Sequence, residues 1–390
     1  MAVIFSPPAL DARDKAVLAE IDSMRRELSQ VLRVPRRWQG TLRRAAQAKA
    51  IRGSNSIEGY VVSDSDAAAA VDGEPALDAD RRTWAEIQGY RRVMTYVLNV
   101  ATSPGFTLDE SVIRALHFML LEHDLGKAPG VYRSGPVYVT SEAGLAYTAP
   151  SAEQVPALMR ALVDQVRRSK ESPLVKAAMA HLNLVSIHPF RDGNGRMARA
   201  LQTLALAQDD LLEPAFSSIE EWLGANTRDY YDVLRATQGG TWQPARDTGD
   251  WVRFNLRAHH MQAQTTQQRF ADAGRRWLEL DELLARHGLP ERVEEALFNA
   301  LLGWRVTRPA YVGATGADIR TATRDLARLT DLGLLAAHGQ TKGRYYTVGD
   351  DLRSVDETVA AARGPLVDPY PDLLTDIRLA AAQVQPTVVS

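Results

Sequence analysis

The chain has 390 residues, 45% of them hydrophobic and 24% charged, so it can build two or three cores of ordinary globular composition and is neither disordered nor fibrous. It contains no cysteine, which excludes disulfides, thiolate catalysis, Cys-ligated zinc and iron–sulfur clusters and fits a reducing compartment. Its 46 basic and 48 acidic residues leave a formal charge of -2, so no global field marks a binder of nucleic acid or membrane.

In chain order, Leu10 to Ala50 reads as helix, capped by Asp11 and interrupted near Pro35 in an Arg-rich stretch; a second helical signal runs from Thr41 through Ile51 and stops near Gly59. The Ala/Asp-rich stretch Val61 to Leu77 predicts a short helix between loops, and Trp84, Ile87, Tyr90, Val93 and Val97 then recur as a core stripe. Thr107-Leu108-Asp109-Glu110 reads as a capping box that starts a helix at Thr107. Between Pro129 and Pro150 the period changes, and the run Val137-Tyr138-Val139-Thr140 between glycines predicts a β-hairpin or flap. Val155 to Arg168 and Ser172 to His188 read as helices. The second has a Ser cap and a first-turn proline, and its apolar residues cover most of its circumference, as expected of the central helix of a bundle.

After Asp247-Thr248 a polar helical connector runs to His287-Gly288, with His259 and His260 expected on its surface. Val293 to Val348 gives a helix, a Pro309 to Gly316 stretch expected to break helix, a helix over Ala317 to Leu332 and a hairpin around Gly339 to Gly343, the order of a helix-turn-helix with a wing. Ile319, Leu326 and Leu329 form its expected buried stripe, and Arg320, Arg324 and Arg328 another face. Asp318, Asp325 and Asp331 interleave with these arginines, so a solvated or protein-docking face is favoured over DNA. No apolar run approaches the roughly 18 residues of a membrane span, and the first residues lack a basic and then apolar leader. A cytoplasmic protein without a membrane partner is the expectation.

The densest chemistry lies in His188-Pro189-Phe190-Arg191-Asp192-Gly193-Asn194-Gly195-Arg196-Met197-Ala198-Arg199. Pro189 pushes His188 out of the right-handed helical region, so the helix ends there and leaves an imidazole able to accept a proton at a helix–loop junction. Gly193 and Gly195 flank Asn194, which allows successive N–H groups to cradle an anion at the start of the next helix, Arg196 to Ala207. Arg196 and Arg199 sit in the first turn of that helix, where the dipole disfavours cations unless an anion is bound. Asp192 beside a phosphate cradle suits a divalent cation. A base, a metal ligand, a backbone nest and two arginines within twelve residues suit nucleotidyl or phosphoryl transfer to a hydroxyl. A mere Gly-rich turn with surface arginines leaves this convergence unexplained.

This segment matches HPFx[DE]GNGRxxR at every defined position, and the chain is identified by it as resembling the Fic family over roughly residues 50 to 240. Gly130-Val131-Tyr132-Arg133 resembles the lead into that family's flap, and Arg228-Asp229-Tyr230-Tyr231 its downstream nucleotide-contacting helix. The resemblance implies a mainly α fold, a Fic-type helical bundle with a β-hairpin flap, followed here by a winged helix-turn-helix-like module. It implies transfer of AMP from ATP to a Ser, Thr or Tyr hydroxyl of a protein, including the chain itself. His188 would be the general base and Asp192 the Mg²⁺ ligand. Gly193, Asn194 and Gly195 would bind phosphates, Arg196 and Arg199 the β/γ end, Tyr230 and Tyr231 the nucleotide, and Phe190 would anchor the loop. Family members that phosphorylate carry Lys in place of Gly195, which argues against kinase activity here. Gln238 departs from the Asn that some members place near the adenine.

Ser54-Asn55-Ser56-Ile57-Glu58-Gly59 resembles the family's inhibitory pattern [ST]xxxE[GN]. A carboxylate of Glu58 on Arg199 would occupy the γ-phosphate's place, with Ser54 steadying the helix end before Gly59. The flap residues Val137, Tyr138, Val139 and Thr140 could pair edge-on with an extended target segment. The expected segments are 1–105 with the inhibitory motif, 106–245 as catalytic core, 246–288 as connector, 289–350 as winged-helix-like module and 351–390 as tail. The alternatives are a nucleotide-sensing DNA-binding regulator, removal of AMP at the same site, or use of another nucleotide. A homodimer is left open.

Overall fold

A computed structural model describes residues 2–141, 144–208, 213–340 and 343–384, and the fold is mainly helical. The first helix, α1 (Ala12–Leu32), opens with a reciprocal capping box between Asp11 and Asp14. The chain turns near Pro35 and continues as α2 (Gln39–Ile57), α3 (Asp64–Asp72) and α4 (Arg81–Val100). The next helix, α5 (Glu110–Leu121), starts three residues later than the sequence pattern predicts. Asp109 is the cap, accepting from Val112 N–H at 2.9 Å, and the preceding Leu108 is buried in the same core as Ile113, so an apolar staple fixes the start.

The predicted hairpin is present as β1 (Tyr138–Ser141) and β2 (Gly144–Thr148), antiparallel, with Val139 opposite Tyr147 and a register shift after Val139. Three helices follow, α6 (Val155–Arg168), α7 (Pro173–Ile187) and α8 (Asn194–Ala207). Every residue of α7 except Pro173 and Lys176 is buried, as its all-round apolar pattern requires. It packs on α8, and α9 (Glu220–Ala225) and α10 (Thr227–Gln238) complete the surround.

The inhibitory-pattern helix α2 is joined to α9 almost backbone to backbone. A Cβ built on Gly53 would lie 2.4 Å from the Glu220 carbonyl oxygen, and one on Gly224 only 2.7 Å from Gly53 Cα. Only glycine at both positions allows this approach.

The connector is one helix, α11 (Gly249–His287), whose first half lies against α1 and α7 and belongs to the main core through Trp251 and Phe254. His259 and His260 are therefore buried, each 5% exposed, against the surface position expected of them. The imidazole of His260 meets Glu20 at 2.9 Å, and burial holds His259 neutral, with its pKa down to about 3.

A second core is built on the end of α11 and on α12 (Glu294–Leu301), β3 (Val306–Thr307), α13 (Arg308–Thr315), α14 (Ile319–Asp331), β4 (Leu335–His338) and β5 (Tyr345–Val348), with sheet order β3-β5-β4. Pro309 and Gly316 bound α13 instead of breaking it: proline fits a first turn, and Gly316 caps the end in the left-handed region. Ile319, expected in the buried stripe, is 65% exposed because it is the first residue of α14; Ala322, Leu326 and Leu329 make the buried face. Asp325 faces inward, ion-paired with Arg292 at 2.7 Å and accepting from Tyr311, which leaves Arg320 and Arg324 exposed without it. Finally α15 (Asp350–Ala361) and α16 (Leu373–Gln383) follow, and α16 docks on α10 with an Arg378–Asp229 ion pair. No helix among the described residues is long and apolar enough to cross a membrane.

Candidate active site

α7 ends at Ile187, and His188 takes φ 51°, ψ 58°, where proline at the next position forbids a right-handed turn. Among the described residues only Ala128 and His188 are non-glycine residues at positive φ, and backbone strain of this kind persists where surroundings enforce it. Arg133 is the enforcing group. Its Nε donates to His188 O at 2.7 Å, its Nη1 to Gly135 O at 2.9 Å, and its own N–H to Pro189 O at 2.9 Å. The His188 Nδ1 lies 3.1 Å from Val185 O, so Nδ1 carries the proton and Nε2 keeps its lone pair. Burial pushes the imidazole pKa down to about 4, which keeps it neutral and able to accept a proton.

The loop after His188 is folded on itself. Phe190 is fully buried and stacks on His117 at 3.7 Å, while Asn194 spends its side-chain amide on Phe190, accepting from Phe190 N–H and donating to Phe190 O, both at 2.9 Å. Asp192 Oδ1 accepts from Gly193 N–H at 2.7 Å, and Gly193 caps α8 at φ 75°. The loop's anion-facing groups are thus the unpaired N–H groups that open α8, from Asn194 onward, with Gly193 supplying the turn. Gly130 N–H donates to His117 Nδ1, so His117 Nε2 donates to Asp192 O at 3.0 Å and fixes the acid's backbone.

The two arginines have different partners. Arg199, 1% exposed, donates from Nε to Ser54 Oγ at 2.7 Å, from Nη2 to Ser54 O at 2.9 Å and to Glu58 Oε1 at 2.7 Å, while its Nη1 is buried without a partner. Burial works to lower its pKa, but the Glu58 carboxylate overcomes this and raises it, so the charge is fixed. A Cβ on Gly195 would stand 2.4 Å from Glu58 Oε1 and 3.3 Å from Arg199 Nη1, so the absent side chain is the space in which the carboxylate sits. Arg196 instead pairs with Glu86 at 2.6 Å, both side chains 2% exposed, beneath the Tyr60 ring. Burial works to raise the Glu86 pKa, but the charge and hydrogen bonds of Arg196 and Lys127 bring it down to about 2. Lys127 Nζ completes this chain, 2.9 Å from Glu86 Oε1 and 2.7 Å from Asp192 Oδ2.

Tyr230 is core: it is 1% exposed, with its hydroxyl 2.9 Å from His181 Nε2. Tyr231 is half exposed and donates to Ile57 O, bracing the end of α2 beside Glu58. Gln238 bonds Ser186 at the end of α7. In the flap Tyr138 is exposed, Val137 and Val139 are half-buried, and the Thr140 side chain lies outside the described ones. Tyr147 ties the hairpin to α7 by donating to Ser186 O at 2.8 Å. Sequence reasoning missed Glu86, Lys127, His117 and the anchoring role of Arg133. Glu86 had a signal, being an acid in line with the buried stripe of Tyr90, Val93 and Val97 on α4.

Residues 107–206 match the Fic/DOC family. The chain carries a Fic/DOC-family domain. It spans α5, the flap and the His188 to Arg199 loop. The chain is 29% identical over 202 residues to the protein adenylyltransferase Fic of Nematostella vectensis, covering 49% of this chain and 43% of the relative. It is 30% identical over 202 residues to the protein adenylyltransferase Fic of Drosophila willistoni, covering 50% of this chain and 38% of that one. The matches therefore span less than half the length of these curated relatives. In fold, the chain resembles a Fic family protein from Desulfovibrio desulfuricans, with TM-score 0.55 and 24% identity over 89% of this chain and 99% of that one. A Fic-domain signalling protein from Bacteroides thetaiotaomicron gives 0.51 and 22% over 66% and 98%.

The Mg²⁺ that the Fic resemblance implies has one carboxylate to meet, Asp192, half exposed at the loop. Among the described residues no group of three His, Asp or Glu side chains could hold a metal alone. A single carboxylate fits a hard cation that takes its other ligands from phosphate and water.

Proposed function

We propose that the chain is a self-inhibited protein adenylyltransferase that moves AMP from ATP to a protein hydroxyl. The observation that carries this reading is the Glu58 carboxylate held on Arg199 in the space left by Gly195, beside the free Nε2 of His188. The N–H groups opening α8 bind the phosphates, and Arg199 Nη1, now without a partner, takes a γ-phosphate oxygen once Glu58 withdraws. His188 Nε2 removes the proton from the target hydroxyl as its oxygen bonds to the α-phosphorus, and the bond to the β-phosphate oxygen breaks with pyrophosphate leaving. The negative charge of the bound triphosphate raises the His188 pKa from its low resting value toward that needed of a base. A divalent cation at Asp192 would neutralise phosphate charge during this step. The outer edge of β1 presents backbone groups for an extended target segment, with Tyr147 holding the flap at the His188 end of α7.

The test is transfer of label from α-³²P-ATP to the protein itself. Glu58→Gly should label strongly, wild type weakly, and Glu58→Gly with His188→Ala not at all. Equal labelling of all three would defeat the reading.

A further inference from the structure

Adenylyl transfer as proposed gives Lys127 no part, yet this side chain is among the most constrained at the site. It ends a single helical turn, Leu125–Lys127, and is followed by Ala128 at φ 51°, which shares with His188 the distinction of positive φ without being glycine among the described residues. Strain at a loop that supplies a charged side chain to the site indicates that the position of that side chain is over-determined. The same loop reaches Asp192 twice, through Lys127 Nζ on Oδ2 at 2.7 Å and through Gly130, His117 and the Asp192 carbonyl. Glu86 anchors the other side of the ammonium at 2.9 Å and is itself held by Arg196, by the Tyr60 hydroxyl at 3.2 Å and by His123 at 3.3 Å.

Asp192 Oδ1 already accepts from Gly193 N–H at 2.7 Å, which leaves Oδ2 as the oxygen a divalent cation would take. An ammonium at 2.7 Å and a doubly charged ion on the same oxygen repel each other, so each weakens the hold of the other and the two compete. Glu86 gives the displaced ammonium somewhere to stay: a carboxylate oxygen already bonded to it and turned away from solvent. Resting on the adenylyltransferase reading, we infer that Lys127 is a positioning residue that serves as the resident cation of Asp192, and that a divalent ion entering with nucleotide must exchange for it. The lysine thereby sets how much divalent ion the site requires, and it holds Asp192 in a ready rotamer when none is bound.

The experiment measures Mn²⁺ binding by the water-proton relaxation enhancement that the protein adds to Mn²⁺ with ADP, read against the same mixture without protein and at saturating ADP so that no transfer occurs. Lys127→Met should lower the apparent Mn²⁺ dissociation constant about tenfold, about 1.4 kcal/mol, Lys127→Arg should stay near wild type, and Asp192→Asn should lose the site. An unchanged or higher dissociation constant in Lys127→Met overturns the inference, the higher value being that of a lysine which holds phosphate instead. A second measurement needs no variant: in wild type labelled with ¹⁵N-lysine, the Nζ resonance perturbed by Mg²⁺ with ADP supports exchange, and a set of Nζ resonances untouched by Mg²⁺ refutes it. If calorimetry finds no ADP binding, the nucleotide-transfer reading falls and takes this inference with it; ADP and Mn²⁺ bound without a shift in Lys127→Met sinks the inference alone.

Discussion

Replacing Glu58 by glutamine keeps the shape of the side chain proposed to inhibit the site and removes its charge. The pair it makes with Arg199 is charge-assisted at 2.7 Å, with the arginine 1% and the glutamate 28% exposed at the side chain. Such bonds contribute about 1.5–3 kcal/mol, and the partial exposure of Glu58 places this one near the lower end, about 1.5 kcal/mol. Glutamine leaves Arg199 only a neutral amide oxygen in place of the carboxylate, beside Ser54, so the ligand-free variant should melt about 2 °C below wild type. ATP brings a γ-phosphate to a guanidinium that no longer faces a carboxylate, so its stabilisation of Glu58→Gln should exceed that of wild type by the same amount, equivalent to about tenfold in affinity. ADP has no γ-phosphate and should stabilise both proteins alike. Thermal melts of the two proteins with each nucleotide measure this directly. Equal gains with ATP in both would refute the claim that the carboxylate and the γ-phosphate compete for one guanidinium.

Gly224→Ala should cost about 2–4 kcal/mol, read as a lower denaturant midpoint, because its Cβ meets Gly53 backbone atoms at 2.7–3.0 Å that cannot step aside. Arg133→Lys, in a Glu58→Gly background, should lower kcat about 100-fold with little change in the KM for ATP, since the fork that holds His188 O is lost while the phosphate groups stay; parallel loss in both constants would contradict it. Acid should destabilise the fold. Burial holds His117 and His188 near pKa 4 and His181 and His259 near 3, below the ordinary 6.5, so their contribution is complete above about pH 6.5 and is lost as pH falls. Glu220 and Glu294, pushed by burial up to about 7, oppose this by gaining stability on acidification, and the net expectation is a loss of about 2 kcal/mol between pH 6.5 and 5.5. A denaturant midpoint that holds or rises over that range would contradict it.

What could be read in advance was what local chemistry determines. Proline after His188, glycines around Asn194 and arginines in a first turn each constrain their own few residues, so the loop and its helix were visible in the letters. Glu58 was legible only as a pattern, because its partner Arg199 lies 141 residues away. Glu86 and Lys127 carry no local mark of their meeting, being 41 residues apart and joined through Arg196, 110 residues from Glu86. Polar residues were the common source of error. His259 and His260 look like surface groups until tertiary packing buries them, whereas Ile319 looks buried until its place at the open start of α14 leaves it outside. Gly53 and Gly224 are the opposite case: glycines inside helical patterns that announce a close neighbour without naming it.

The seam between those two glycines limits how the site can be opened. Because α2 and α9 touch at the backbone one residue before Ser54, the helix that carries Glu58 has no freedom to swing out like a door. Its last turn is another matter: beyond Ile57 it is braced by Tyr231 from one side and meets the left-handed Gly59 on the other. On the self-inhibited reading, any signal that frees Arg199 therefore has only a short span to work on, residues 56–60 and the tyrosine that props them. A partner that pulled on Tyr231 or rotated Glu58 alone could release the arginine and leave the rest of the bundle undisturbed.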